Sequence, residues 1–167
     1  MDILALGSIT CNPTNGVCLA GTTNTWNNSV AINPVIKGKY GVTLATNSNQ
    51  SKTPTLDANT GVAFTTILPN KCAAIVFGVN AAGTIVGAQG PIIDTVTGVT
   101  TTVGAFIGAP QFPAIPDDFC PIAYTVVRVA PSGTTGFTCG VTEWAASSMS
   151  CTTFQNVFVL PSRPQIA

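Results

Sequence analysis

The sequence contains no histidine, and only twelve of its 167 residues are charged, six basic and six acidic. An ordinary soluble domain carries about a quarter of its residues as Asp, Glu, Lys and Arg, whereas here the fraction is 7%. The absent imidazole removes Ser–His and Cys–His nucleophilic catalysis and leaves only rarer lysine- or terminus-activated variants. The absent charge removes much of what keeps a free monomer soluble, so the composition describes a surface meant to be covered. Net charge is zero, and Lys37, Lys39, Lys52, Lys71, Arg128 and Arg163 are scattered. That pattern argues against a nucleic-acid partner or an anionic membrane, both of which are met by clustered basic residues. No stretch approaches the roughly eighteen consecutive apolar residues of a membrane span. The opening Met1-Asp2-Ile3-Leu4-Ala5-Leu6 has neither the basic region nor the apolar core of a signal peptide, so synthesis in the cytoplasm is expected.

What the chain does have is β-branched residues: Thr, Val and Ile make up about a third of it, and these pack well on a pleated sheet. The length suits one domain, or one domain with an arm, and is enough for a real core without disulfides or metals. Residues 1–50 are rich in Gly, Asn and Thr and read as an N-terminal extended arm or a set of short edge strands. Lys39 to Leu44 alternates Tyr40, Val42 and Leu44 against small or polar neighbours, the period of a half-buried strand. The polar run from Asn47 to Lys52 reads as a loop and sets the domain boundary near residue 50, leaving residues 51–167 as the main domain.

In that second part, Val62 to Leu68 reads as a strand, and Ala73 to Val79 is a continuous apolar run suited to burial on both faces. Asn80-Ala81-Ala82-Gly83 is hairpin-loop chemistry, after which Thr84 to Gly87 returns. The stretch 103–108 is open between a short helix and another strand. The proline-rich connector from Phe112 to Pro121 is stiff and not helical. Ile122 to Val129, a turn at Pro131 to Gly136 and Phe137-Thr138-Cys139 suggest a second hairpin. One or two helical turns over 143–149 and a last strand over 152–160 complete the pattern. Short strands, regular turns and almost no amphipathic helix predict an all-β fold, a β-sandwich or jelly-roll-like domain. Its sheet edges lack the charges that usually protect them.

The six cysteines contain no C-x-x-C pair, and a zinc site without histidine would need four of them at unhelpful spacing. Cys11 and Cys18 bracket Asn12-Pro13-Thr14-Asn15-Gly16-Val17, a turn sequence, and form the candidate disulfide of the chain. A cytoplasmic origin argues against it, and Cys72 and Cys120 read as buried free thiols. Asp117 and Asp118 are the only adjacent carboxylates; neighbours in extended chain point to opposite faces, and a turn role after Pro116 suits them better than acid–base catalysis. Asp2, Asp57, Asp94 and Glu143 stand too far apart in sequence to suggest a calcium loop. Among the aromatics, Tyr124 and Trp144 read as sheet core. Trp26, set among Thr and Asn, is the candidate surface-contact residue. The sequons at Asn27-Asn28-Ser29 and Asn49-Gln50-Ser51 read as incidental without a secretion signal. No phosphate loop, dinucleotide fingerprint or nucleophile elbow is present, so neither a cofactor nor a metal is expected.

Five segments taken in order carry a resemblance: Ala74 to Thr84, Gln89-Gly90-Pro91, Phe112 to Pro116, Pro121 to Val127, and Phe154-Gln155-Asn156-Val157. Together, over about residues 60–164, they resemble virion structural proteins of tailed bacteriophages, most like small capsid decoration (cement) or head-fibre proteins. The resemblance implies a non-enzymatic homotrimer seated on the outer shell of major capsid protein and located at the capsid surface of the virion. It carries no ligand or catalytic residues to transfer. The alternative is a fibre or spike module that binds a host-surface glycan through exposed aromatics such as Trp26. A glycan-cleaving enzyme is disfavoured by the missing histidine and sparse carboxylates.

Overall fold

The computed structural model describes residues 19–20, 24–151, 154–157 and 159–166. Among these there is no helix, and the strands in chain order are β1 (Leu19–Ala20), β2 (Thr25–Asn28), β3 (Val35–Ile36), β4 (Lys39–Tyr40), β5 (Asn47–Lys52) and β6 (Lys71–Asn80). They continue with β7 (Ile85–Gln89), β8 (Ile93–Asp94), β9 (Phe119–Val129), β10 (Met149–Cys151) and β11 (Gln155–Asn156). The chain is all-β, with three antiparallel sheets that do not close into a barrel. The largest runs β10-β9-β6-β7, with β8 on β6 and β11 on β9; β1-β2-β5 and the β3–β4 hairpin are separate.

β6 and β9 form the centre because their residues tolerate burial on both sides. Ala73, Ile75, Phe77 and Val79 point to one face, where they share a core with Trp26, Ile32, Leu44, Phe137, Trp144 and Phe154. Phe77 stacks on Phe154 at 5.6 Å between centroids, and Trp144 meets Phe154 edge-on at 5.4 Å. On the opposite face Val76, Ala88, Phe119 and Tyr124 are covered by Phe112, Ile115, Val157 and Leu160. The period-2 alternation of a strand thus feeds two apolar layers, which is why β6 reads as an unbroken apolar run. Phe77 opposes Ala123 while Gly78 opposes Pro121, leaving Ile122 as the extra residue of a β-bulge. A bulge is one of the few places in a sheet that admits proline, which has no N–H for the ladder.

The turns follow local chemistry. β3 and β4 are joined by Lys37-Gly38, both left-handed at φ 51° and 73°, the two-residue connection whose twist matches a hairpin. β6 and β7 are joined through Ala81-Ala82-Gly83, with Gly83 left-handed at φ 74°. Asn80 Oδ1 accepts from the Ala82 and Thr84 amides at 3.1 and 3.0 Å and holds that loop.

Several expected elements differ. The polar segment 47–52 is strand β5, pairing with β2, so the expected boundary at residue 50 falls inside a strand. Its ladder with β2, to which Asn47 Nδ2 adds a hydrogen bond to the Trp26 carbonyl, holds it, with no apolar pattern to advertise it. Residues 24–50 are not a free arm: Trp26, Ile32 and Leu44 lie in the same core as β6. Phe137 does not return along β9 but bridges Ile67, and the edge of β9 away from β6 is taken by β10 and β11. The 143–149 stretch forms tight turns instead of helical ones, with Ala146 N–H donating to Glu143 O and Met149 N–H to Ala146 O. Only single bridges, Ala63 to Leu56 and Ile67 to Phe137, mark the expected 62–68 strand. The stretch near 103–108 is the return limb of a hairpin, through the Thr95–Phe106 bridge.

Candidate interaction surfaces

Two exposed features stand at opposite ends of the β6–β9 pair. β6 runs from Lys71 to Asn80, a length of about 30 Å at the usual rise per residue. Beside Lys71 and Cys72 lies a hairpin spanning 93–108; beside Asn80 lies a depression where three turns meet.

The 93–108 hairpin begins with β8 pairing Lys71 and Cys72. It continues through the Thr95–Phe106 and Val99–Thr102 bridges. Its base is held by specific contacts. Asn70, left-handed at φ 59°, accepts the Thr95 amide on its carbonyl at 2.9 Å and the Gly98 amide on Oδ1 at 3.0 Å. Lys71 Nζ donates to Asp94 at 2.5 Å. The Arg128 guanidinium lies 4.7 Å from the Phe106 ring centroid and donates to Gly104 O at 3.2 Å, an arrangement that joins charge–quadrupole attraction to a hydrogen bond. Gly104 is required there, since a Cβ would run into the Val96 carbonyl oxygen. Beyond this base, Val99 is 74% exposed and Ile107 66%, with Val96 exposed beside them. From Thr95 to Pro116 no residue is charged.

The depression, about 520 Å3, is lined by Ile36, Lys37, Lys39, Tyr40, Gly41, Val42, Ala81, Asp117 and Asp118. It joins the β3–β4 turn, the β6–β7 turn and the turn before β9, in which the Phe119 amide donates to Pro116 O at 3.1 Å. Val42 N–H donates to Ala81 O and Gly41 N–H to Pro34 O, both at 2.9 Å, so the first two turns are tied together. Lys37 Nζ donates to Asp117 Oδ2 at 2.9 Å and ties in the third. That hydrogen bond, reinforced by the opposite charges, raises the Lys37 ammonium above its ordinary value and lowers the Asp117 carboxyl below its own. Tyr40 stands 82% exposed on the rim.

Cys11 and Cys18, the candidate disulfide, lie outside the described residues. Trp26 is a correction: it is 3% exposed, packed in the core that faces β6. Its β2 position alternates inward, and the Thr and Asn around it are strand neighbours, not a solvent-facing loop. Among the described residues the strongly exposed aromatic is Tyr40, although the alternation of Tyr40, Val42 and Leu44 predicts that it turns inward with Leu44. Of that trio only Leu44 is buried. The signal for Tyr40 was Lys37-Gly38, a turn pair that ends one short strand and begins the next. Tyr124 and Trp144 are core residues, with Tyr124 Oη accepting the Gln165 amide at 2.9 Å and Trp144 Nε1 donating to Thr25 O at 3.1 Å.

Asp57 is buried and structural. Its carboxylate accepts the Asn59 amide at 2.7 Å and the Gln89 amide at 3.0 Å, fastening the 57–61 turn to β7. Among the described residues no group of three or more Cys, Asp or Glu side chains is placed to hold a metal ion. Cys72, Cys120 and Cys139 are buried and Cys151 partly so, all four as free thiols. Burial pushes all four thiols up, Cys72 to about 11 and Cys151 to about 12. Thiols so raised stay protonated at neutral pH and make poor nucleophiles. Searches with protein-family models, among characterised proteins and among solved structures found no match to this chain.

Proposed function

We propose that the protein is a non-enzymatic virion component, a capsid decoration (cement) protein that binds the outer shell of major capsid protein as a homotrimer and stabilises the head. The observation that carries this reading is the 93–108 hairpin, a Val/Ile/Thr-rich limb held to the sheet at its base by Asp94 and free of charge from Thr95 onward, with Val99 and Ile107 turned to solvent. Exposed apolar side chains clustered on one element mark a contact surface. A hairpin limb without charge beyond its base also lacks the usual protection against pairing with another chain. Symmetry multiplies a modest contact of this kind over every copy on a shell. The ordered segments resembling tailed-phage virion proteins point the same way.

The finer architecture belongs to the same proposal. The β1-β2-β5 sheet delivers Trp26 to the core under β6, which supports a sandwich or jelly-roll-like packing of sheet on sheet.

Sedimentation of the purified protein, followed by co-sedimentation with tailed-phage shells assembled from major capsid protein, tests the reading. The wild type is expected as a trimer that pellets with shells. Val99→Asp with Ile107→Asp is expected to lose shell binding at an unchanged melting temperature, because both side chains already face water. A stable monomer without affinity for shells, or a double variant that binds as the wild type does, refutes the proposal.

A further inference from the structure

At the other end of the sheet, we infer that the three-turn depression around Tyr40 is a binding site for a neutral saccharide. The site is built before any ligand arrives. The β3–β4 and β6–β7 turns are joined by the Val42–Ala81 hydrogen bond, and the Lys37–Asp117 pair closes the third side. Gly83 belongs to that construction: besides its left-handed φ, a Cβ there would sit 2.7 Å from the Val42 carbonyl oxygen. Volumes of about 300–1,000 Å3 with a few convergent polar groups are typical of small-ligand sites, and this one is about 520 Å3.

The chemistry of the lining selects the ligand class. Tyr40 projects its ring into solvent, with no ring–ring or cation contact found for it among the described residues. Such a ring offers an apolar face with a polar tip, which suits the C–H face of a pyranose. Charge discriminates further. Lys37 and Asp117 satisfy each other, leaving Lys39 and Asp118, one of each sign, on the same rim. An anionic ligand would meet two carboxylates, and a cationic one two ammonium groups. A polyol carries hydroxyls that donate to Asp118 and accept from Lys39 at once, with no charge to oppose either. Ile36, Val42 and Ala81 supply the apolar part of the lining. The depression is open, so a single sugar unit binds weakly, with Kd of about 1 mM or above.

The test is titration of the isotope-labelled full chain with maltotriose, cellotriose, triacetylchitotriose and mannotriose, followed by amide chemical-shift mapping and saturation-transfer NMR. Shifts confined to residues 37–42, 81–83 and 117–118 are expected with at least one trisaccharide at about 10 mM. Tyr40→Ala should weaken that binding at least tenfold and Tyr40→Phe should retain it; Asp118→Asn and Lys39→Ala should each weaken it several-fold. Tyr40 is a surface residue, so a normal melting temperature accompanies the expected loss. No response to any of the four, shifts mapping elsewhere, Tyr40→Ala binding as the wild type does, or preference for an anionic sugar such as sialyllactose overturns the inference. No capsid enters the experiment, so its failure and that of the decoration reading are told apart.

Discussion

Gly78→Ala tests the packing on which both ends of the molecule depend. Gly78 sits mid-sheet, opposite Val86 of β7 on one side and Pro121 of β9 on the other. The Phe119 ring lies directly over it, where a side chain would otherwise stand. A Cβ at Gly78 would overlap the edge of that ring and come within 2.6 Å of the Cys120 carbonyl oxygen. Because β6 is paired on both sides, the strand cannot step aside, and Phe119, 2% exposed, must swing out. Losing most of a phenylalanine's burial costs about 1.5–3 kcal/mol, and displaced backbone adds about 1–3 kcal/mol. Reduced freedom of the unfolded chain offsets about 0.4–1 kcal/mol, leaving a net loss of about 1.5–5.5 kcal/mol from these terms. Urea unfolding followed by tryptophan fluorescence measures it, since Trp26 and Trp144 are both buried in the core. The decisive comparison is the same substitution in a Phe119→Ala background, where the ring is gone and the added cost should fall by at least about 1 kcal/mol. A loss below about 0.5 kcal/mol in the wild type, or an equal loss in both backgrounds, refutes the account of Gly78.

The buried thiols set a pH dependence. A thiol whose folded value is raised holds its full stabilising contribution below the unfolded value and loses it as pH rises through the folded one. For Cys72 the window therefore runs from 9.0 to about 11. Stability from urea titrations should fall across that range, and Cys72→Ala should flatten the slope; a slope unchanged by the substitution contradicts the assignment. In a Cys11→Ser, Cys18→Ser background at pH 8, Cys72, Cys120 and Cys139 should react with a thiol reagent only as fast as the protein opens. Rapid stoichiometric labelling of the native state contradicts their burial. The Lys37–Asp117 pair is mostly exposed on both sides, so Asp117→Asn should change the unfolding midpoint only slightly, and less at high salt. What little the pair contributes is present between the two shifted values. It is lost as pH falls through the lowered Asp117 value, below 3.8, and as pH rises through the raised Lys37 value, above 10.5. A large, salt-insensitive loss contradicts a solvent-screened pair.

The parts of the fold legible in the sequence are those where one local signal and burial agree. The apolar run at β6 and the Asn80–Gly83 turn need nothing distant to specify them, and β6, its loop and β7 lie where those signals place them. β5 was illegible because Asn47–Lys52 owes its strand to partners on β2, not to its own composition. Phe137 illustrates the same limit: its apolar character predicts burial, but nothing local says that its bridge is to Ile67 and not to β9. For the sites, Trp26 and Tyr40 exchange roles because polar neighbours in sequence are a poor guide to exposure when a strand alternates. A turn pair two residues away is the better one.

Scarcity of charge has a spatial meaning that a count does not carry. Lys37, Lys39, Asp117 and Asp118, four of the twelve charged residues, line one depression. Lys71, Asp94 and Arg128 gather at the base of the hairpin, whose residues beyond Asp94 carry no charge, and Asp57 is consumed in holding a turn. Among the described residues the two ends of β6 therefore differ: a charged, aromatic depression beside Asn80 and, beside Lys71, an apolar hairpin limb free of charge from Thr95 on. A single covering partner would be expected to favour one chemistry across the surface. Two ends of opposite character argue instead for two different contacts, one excluding water on the hairpin and one exchanging hydrogen bonds at Tyr40. If the hairpin seats on a shell as proposed, the Tyr40 depression, at the far end of β6, would face away from it.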